Sequence, residues 1–86
     1  DMDGLPVQEK SGLANASTVR QKDRTGVEQP VMHACGHDTH ITGLVATARR
    51  LAAMRDQWSG TLVFVVQPAE EIVAGAKAMM ADDLYK

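Results

Sequence analysis

Thr61-Leu62-Val63-Phe64-Val65-Val66 enters from the Ser59-Gly60 turn and closes at Gln67-Pro68. After the threonine every side chain is apolar, with no alternation, and most are β-branched or aromatic. That pattern fits a strand covered on both faces, as in the interior of a parallel sheet. On its amino-terminal side, Ile41, Leu44, Val45, Ala48, Leu51 and Ala52 draw one stripe at helical spacing, with Arg49, Arg50 and Arg55 lying mostly off it. Asp38 or Thr39 is placed to cap its start, so a helix is predicted from there to Asp56 or Trp58. On the other side, Ala74 to Leu84 is rich in Ala and Met and predicts a second helix, with Ala76, Met79 and Met80 on one side. Residues 1–7 read as the tail of a strand that turns at Gly4 and Pro6. Gln8 to Pro30 is a long polar connection with room for a short hairpin. The order strand, loop, helix, strand, helix predicts an α/β fold: part of an open, mostly parallel sheet with helices on its faces, whose ligands gather outside the carboxyl ends of the strands.

With 86 residues the chain is one domain at most. Asp1 stands within a strand-like Asp-Met-Asp run and Lys86 closely follows a helix-like segment, so a fragment of a larger catalytic domain is expected. The net charge of −2 comes from 9 basic and 11 acidic residues that are well mixed. No basic stripe exists to hold phosphates, and nucleic acid is not expected as a partner. The apolar run is too short to cross a bilayer, so no membrane partner is expected. A single cysteine cannot close an internal disulfide, in keeping with a reducing compartment; a soluble cytoplasmic protein is expected.

The chemistry-bearing residues gather at the predicted sheet edge. Met32-His33-Ala34-Cys35-Gly36-His37-Asp38-Thr39-His40 leads into the first helix, and Gln67-Pro68-Ala69-Glu70-Glu71 ends the apolar run. Cys35 and His37 can present sulfur and nitrogen to one ion around the flexible Gly36, and a helix amino terminus favours the thiolate. The same pair can equally be a packed thiol beside a histidine. Glu70 and Glu71 are adjacent carboxylates that point apart, one able to bind an ion while the other moves protons, or simply a solvated loop pair. His33 and His40 read as residues supporting a ligand or packing near it. Asp3 and Asp38 are candidate orienters, and Asp38 serves equally well as a helix cap.

At these motifs the chain resembles the amidohydrolase branch of a metallopeptidase family that includes N-acyl-amino-acid amidohydrolases, hippurate hydrolases and auxin-conjugate hydrolases. The resemblance is carried by Asp1-Met2-Asp3-Gly4-Leu5-Pro6, by Met32 to His40, and by Gln67 to Glu71. It implies Cys35, His37 and Glu71 as metal ligands, with Cys35 the bridging atom between two divalent ions (zinc, manganese, cobalt or nickel). It implies Glu70 as the general acid/base and Asp3 as a residue orienting part of the site. The implied reaction is hydrolysis of the amide of a small N-acyl amino acid or peptide by water activated at the ions. Full-length relatives are expected to be homo-oligomeric, with a separate dimerisation domain and two further histidine ligands supplied by other segments. Gly4 and Val73 stand where relatives often carry Ala and Gly, and Asp83 where Gly is common.

Two other readings stand beside this one. A non-catalytic remnant or interaction module would keep the motifs without completing the metal site, and this fragment alone is expected to be inactive. A thiol hydrolase would use Cys35 as nucleophile with His37 or His40 as base, but leaves Glu70 and Glu71 without a role.

Overall fold

The structure, a computed structural model, describes residues 1–86. Strands β1 (Arg20–Lys22) and β2 (Glu28–Pro30) form an antiparallel hairpin, with Arg20 opposite Pro30 and Lys22 opposite Glu28. Helix α1 (His37–Ala53) continues, after Met54, into a 3-10 turn at Arg55–Gln57, and helix α2 (Gly75–Ala81) follows near the end of the chain. No helix is long and apolar enough to cross a membrane.

The hairpin lies within the long polar connection and is organised by Asp23. Its carboxylate accepts the amide and hydroxyl of Thr25 at 2.8 and 2.6 Å and the amide of Val27 at 3.0 Å. The hairpin is tied to the rest of the chain by the Val31 amide donating to Val19 O at 3.0 Å, the Ser17 hydroxyl donating to Val31 O at 2.6 Å, and a bridge between Leu5 and Met32.

Helix α1 begins earlier than its side chains suggest, with its cap two residues before Asp38 and three before Thr39. The cap is Gly36, in the left-handed region at φ 80°, and no side chain caps the free amides. Asp38 therefore sits in the first turn, where a carboxylate still favours the positive end of the helix. The Thr39 hydroxyl turns back to Gly36 O at 2.6 Å. At the other end, the Trp58 indole N–H donates to Leu51 O at 2.9 Å, and the Arg55 guanidinium lies 5.0 Å from the indole centroid, a cation–π distance. The predicted second helix is shorter than the Ala74 to Leu84 span, because Asp83 takes a left-handed φ of 67° and cannot extend it.

The only sheet is the antiparallel β1–β2 pair. Thr61 to Val66, expected inside a parallel sheet, has no strand beside it within the chain, and none of its backbone groups joins a backbone hydrogen bond. The reason is physical: a strand exists only through a neighbour that takes its amides and carbonyls. Leu62, Val63, Phe64, Val65 and Val66 are all exposed, so both faces of the run are bare. An apolar groove separates Val65 and Val66 from Ile41, Leu44 and Val45 of α1, so the helix stripe is correctly placed but only half covered. The molecule is a slab of 47 × 36 × 15 Å with no buried hydrophobic residue, and its accessible surface of 6894 Å² exceeds the roughly 5,000 Å² of a closed domain of this mass.

Val73 is 89% exposed at φ 52°, a left-handed conformation that a β-branched side chain adopts only under strain. Relief of about 1–2 kcal/mol exceeds the roughly 0.5–1 kcal/mol that glycine costs through backbone entropy. Val73→Gly should therefore raise stability by about 0.5–1 kcal/mol, read from unfolding midpoints; a lower midpoint would refute the assignment. The Thr25 hydroxyl, opposed by desolvation and helped by Gln29 and the Val27 and Thr25 amides, holds the Asp23 carboxyl down at about 2. Its contribution to the hairpin is complete above the ordinary pKa of about 3.9 and is lost as pH falls through the folded value. The amide chemical shifts of Thr25 and Val27 should therefore titrate with a midpoint of about 2; an ordinary carboxylate midpoint would contradict this turn.

Candidate metal centre

Three chain segments meet at His37: residues 1–3, the start of α1, and the turn after Gln67. His37 is one of only two buried residues, with 3% of its surface exposed. Its Nδ1 lies 2.9 Å from the main-chain oxygen of Asp3. A carbonyl can only accept, so Nδ1 carries a proton and Nε2 is the ring nitrogen that faces the carboxylates. Around Nε2 stand Glu70 Oε2 at 3.5 Å, Glu71 Oε1 at 4.0 Å and Asp1 Oδ2 at 4.0 Å. The Asp3 carboxylate, 3.3 Å from Nδ1 through Oδ1, accepts the Glu71 amide through Oδ2 at 2.9 Å. One aspartate thus holds both the imidazole and the backbone of the glutamate turn.

Cys35, His37 and Glu71 bring sulfur, nitrogen and oxygen donor atoms within 4.8 Å of one another. Asp1, His37 and Glu70 form a second group by the same measure. Both groups use the one imidazole, so a single ion can draw on His37 at a time. The donor types suit zinc and other first-row divalent ions. Two buried carboxylate oxygens, Asp3 Oδ1 and Glu71 Oε1, have no hydrogen-bond partner. A buried acceptor without a donor is costly, and a cation at Glu71 Oε1 would satisfy it. The residues present therefore fit a divalent ion.

The electrostatics agree with that reading. Desolvation pushes the Asp3 carboxyl up, but the Glu71 amide, the Asp3 and Glu70 backbone and nearby His37 outweigh it and hold its pKa below the ordinary value. The Cys35 thiol is pushed up, first by its hydrogen bond with Glu71, then by that carboxylate's charge, by desolvation, and by Glu70 and Asp3. This reverses the expectation that the helix amino terminus would favour the thiolate: full negative charges close by outweigh a partial positive one. A divalent cation shared by Cys35 and Glu71 would turn the balance the other way.

The remaining candidates separate. His40 stacks on His37 with ring centroids 5.8 Å apart at 26° and packs beside the ligand group. His33 and Asp38 line a different cleft of about 500 Å³, together with Met2 and Ser17, away from the ligand group. Asp1 joins the cluster without having been singled out from sequence. The signal was available, because alternate residues of an extended segment share a face and so place Asp1 with Asp3.

The chain belongs to the peptidase family M20/M25/M40, whose pattern it matches over residues 1–86. It is 45% identical over 80 residues to an N-acetylcysteine deacetylase of Bacillus subtilis, covering 93% of this chain and 19% of that protein. It is 43% identical over 86 residues to a hippurate hydrolase of Campylobacter jejuni, covering all of this chain and 20% of that protein. It is 41% identical over 86 residues to an IAA-amino acid hydrolase of Arabidopsis thaliana, again over the full chain and 18% of the relative. The chain thus spans about a fifth of the length of the curated relatives it matches. No solved structure matches it.

In the full-length protein, Cys35→Ala should abolish tight metal retention, read as metal per chain by mass spectrometry after dialysis. Because the thiol must release its proton to bind, retention in the wild type should weaken as pH falls. Equal metal content in wild type and variant would remove Cys35 from the ligand set.

Proposed function

We propose that these residues are part of the catalytic domain of a metal-dependent amidohydrolase that cleaves the amide of N-acyl amino acids or related small peptides. The observation that carries this reading is the convergence of Cys35, His37 and Glu71 donor atoms within 4.8 Å, with the Glu70 carboxylate 3.5 Å from His37 Nε2. The printed names of the relatives, a deacetylase of an N-acetyl amino acid and hydrolases of hippurate and of IAA-amino acid conjugates, share an amide between an acyl group and an amino acid. Cys35, His37 and Glu71 would hold divalent ions, two in number, from among zinc, manganese, cobalt and nickel. Ions bound there would supply Lewis acidity, polarising the acyl carbonyl and making water a nucleophile at neutral pH.

The chain's own residues would do the rest. Asp3 fixes the His37 tautomer by taking the Nδ1 proton in a hydrogen bond, which keeps Nε2 available as a ligand. Glu70, 45% exposed at its side chain, is open to solvent and free to reorient. It would take a proton from the attacking water and deliver it to the departing amine, so its carboxylate ends the cycle as it began. The ligand role is favoured over thiol hydrolysis because Cys35 shares a donor group with His37 and Glu71, whereas a thiol nucleophile would leave Glu70 and Glu71 without a role.

The bare faces of Thr61 to Val66 support completion of the sheet by parallel strands from elsewhere in the protein, with homo-oligomers formed by the full-length enzyme. The absence of a buried apolar core favours the further reading that these residues alone are inert. A reducing compartment such as the cytoplasm would keep Cys35 a free thiol.

Glu70→Gln in the full-length protein should lower kcat for a hippuryl or N-acetyl amino acid by about 10²–10⁴-fold while metal content is retained. A variant that kept its metal and its rate would remove Glu70 from proton transfer.

A further inference from the structure

Gln67 opens the motif that ends in Glu70 and Glu71, yet it belongs to neither group of potential metal ligands. Its side chain is turned back onto the backbone. Oε1 accepts the Ala69 amide at 2.7 Å, bridging over Pro68, while its main-chain oxygen accepts the Met2 amide at 3.0 Å. Ala69 O in turn accepts the amides of Ala74 and Gly75, both at 3.1 Å, and Glu70 O accepts the Val73 amide at 2.8 Å. The carboxamide occupies the space that Gly75 leaves open. A Cβ at Gly75 would overlap Gln67 Oε1 and come within 2.7 Å of Ala69 N, and Gly75 is the other buried residue besides His37.

From this geometry we infer that Gln67 is a positioning residue: its carboxamide, seated against Gly75, fixes the turn that aims Glu70 and Glu71 at His37. The inference rests on the amidohydrolase reading above. The Glu71 backbone is held from one side by Asp3 Oδ2, 2.9 Å from its amide. On the other side the turn is held through Glu70 O, which accepts the Val73 amide, and through Ala69, whose amide goes to Gln67 and whose carbonyl takes two amides from residues 74–75. Loss of the Gln67 acceptor frees the Ala69 amide and lets the turn rotate about Pro68. The Glu70 backbone also faces the Asp3 carboxylate, but a turn rotating about Pro68 would carry the Glu70 carboxylate away from its position 3.5 Å from Nε2. Such displacements of supporting groups cost rate far more than substrate affinity.

The test uses the full-length enzyme at saturating divalent ion with an N-acyl amino acid substrate. Gln67→Met keeps the side chain's length but removes the oxygen acceptor; Gln67→Glu keeps the acceptor. Gln67→Met should lower kcat about 10–100-fold while KM changes little, and Gln67→Glu, measured on the plateau of its own pH profile, should recover most of the loss. A wild-type kcat in Gln67→Met, or a Gln67→Glu variant as slow as Gln67→Met, would overturn the inference. If Gln67→Met does not fold, Gln67→Asn carries the test, because its shorter carboxamide stays polar but falls short of the Ala69 amide. The same kcat loss there supports the inference and an unchanged kcat overturns it. A wild-type enzyme that binds no divalent ion and cleaves no N-acyl amino acid would instead sink the functional reading itself, whatever the variants do.

Discussion

Asp3 is the residue on which the arrangement depends. Its main-chain oxygen receives the His37 Nδ1 proton and its carboxylate receives the Glu71 amide, so a single residue sets the direction of an imidazole and the placement of a carboxylate turn. The adjoining Met2 amide is bonded to Gln67 O and Leu5 is bridged to Met32, which extends the same role along the first five residues. Without this segment, α1 and the glutamate turn have little reason to face one another.

The distribution of burial follows from that centre. In an ordinary small domain the least accessible residues are apolar. Here they are His37 and Gly75, one beside the carboxylates and the other beneath the carboxamide that braces their turn. Asp1, Asp3, Glu70 and Glu71 crowd around one imidazole and one thiol, a balance of charge that calls for a cation. The geometry and the excess of negative charge lead to the same chemistry by separate routes.

Much of this was legible in the sequence, for reasons that differ by element. The α1 stripe could be read because helical packing repeats locally, and the candidate donor types could be read because Cys35 and His37, like Glu70 and Glu71, lie close together in the chain. The Gly36 cap is not legible because the side chains of Asp38 and Thr39 are good caps and nothing local reveals that the cap lies two or three residues earlier. Thr61 to Val66 carries the composition of a buried strand, but pairing is supplied by a partner and composition cannot provide one. The direction of the Cys35 shift depends on Glu71, which is distant in sequence, and the bracing role of Gln67 depends on the missing side chain of Gly75. Val73 and Asp83 show the converse: two positions where the family resemblance implies glycine take left-handed backbone angles, so the expected difference and the backbone strain fall at the same places.

The contacts that close the centre bridge long stretches of chain: 34 residues between Asp3 and His37, and 68 between Asp3 and Glu71. Helix α1 and the β1–β2 hairpin, by contrast, are made of neighbours. Loop closure makes contacts between distant residues slower to form than local ones. The local pieces can therefore be in place while the donor atoms are still apart, and the centre is among the last features to assemble. Its geometry then serves as a checkpoint on folding, since a molecule able to hold its ion has already brought both ends of this segment together.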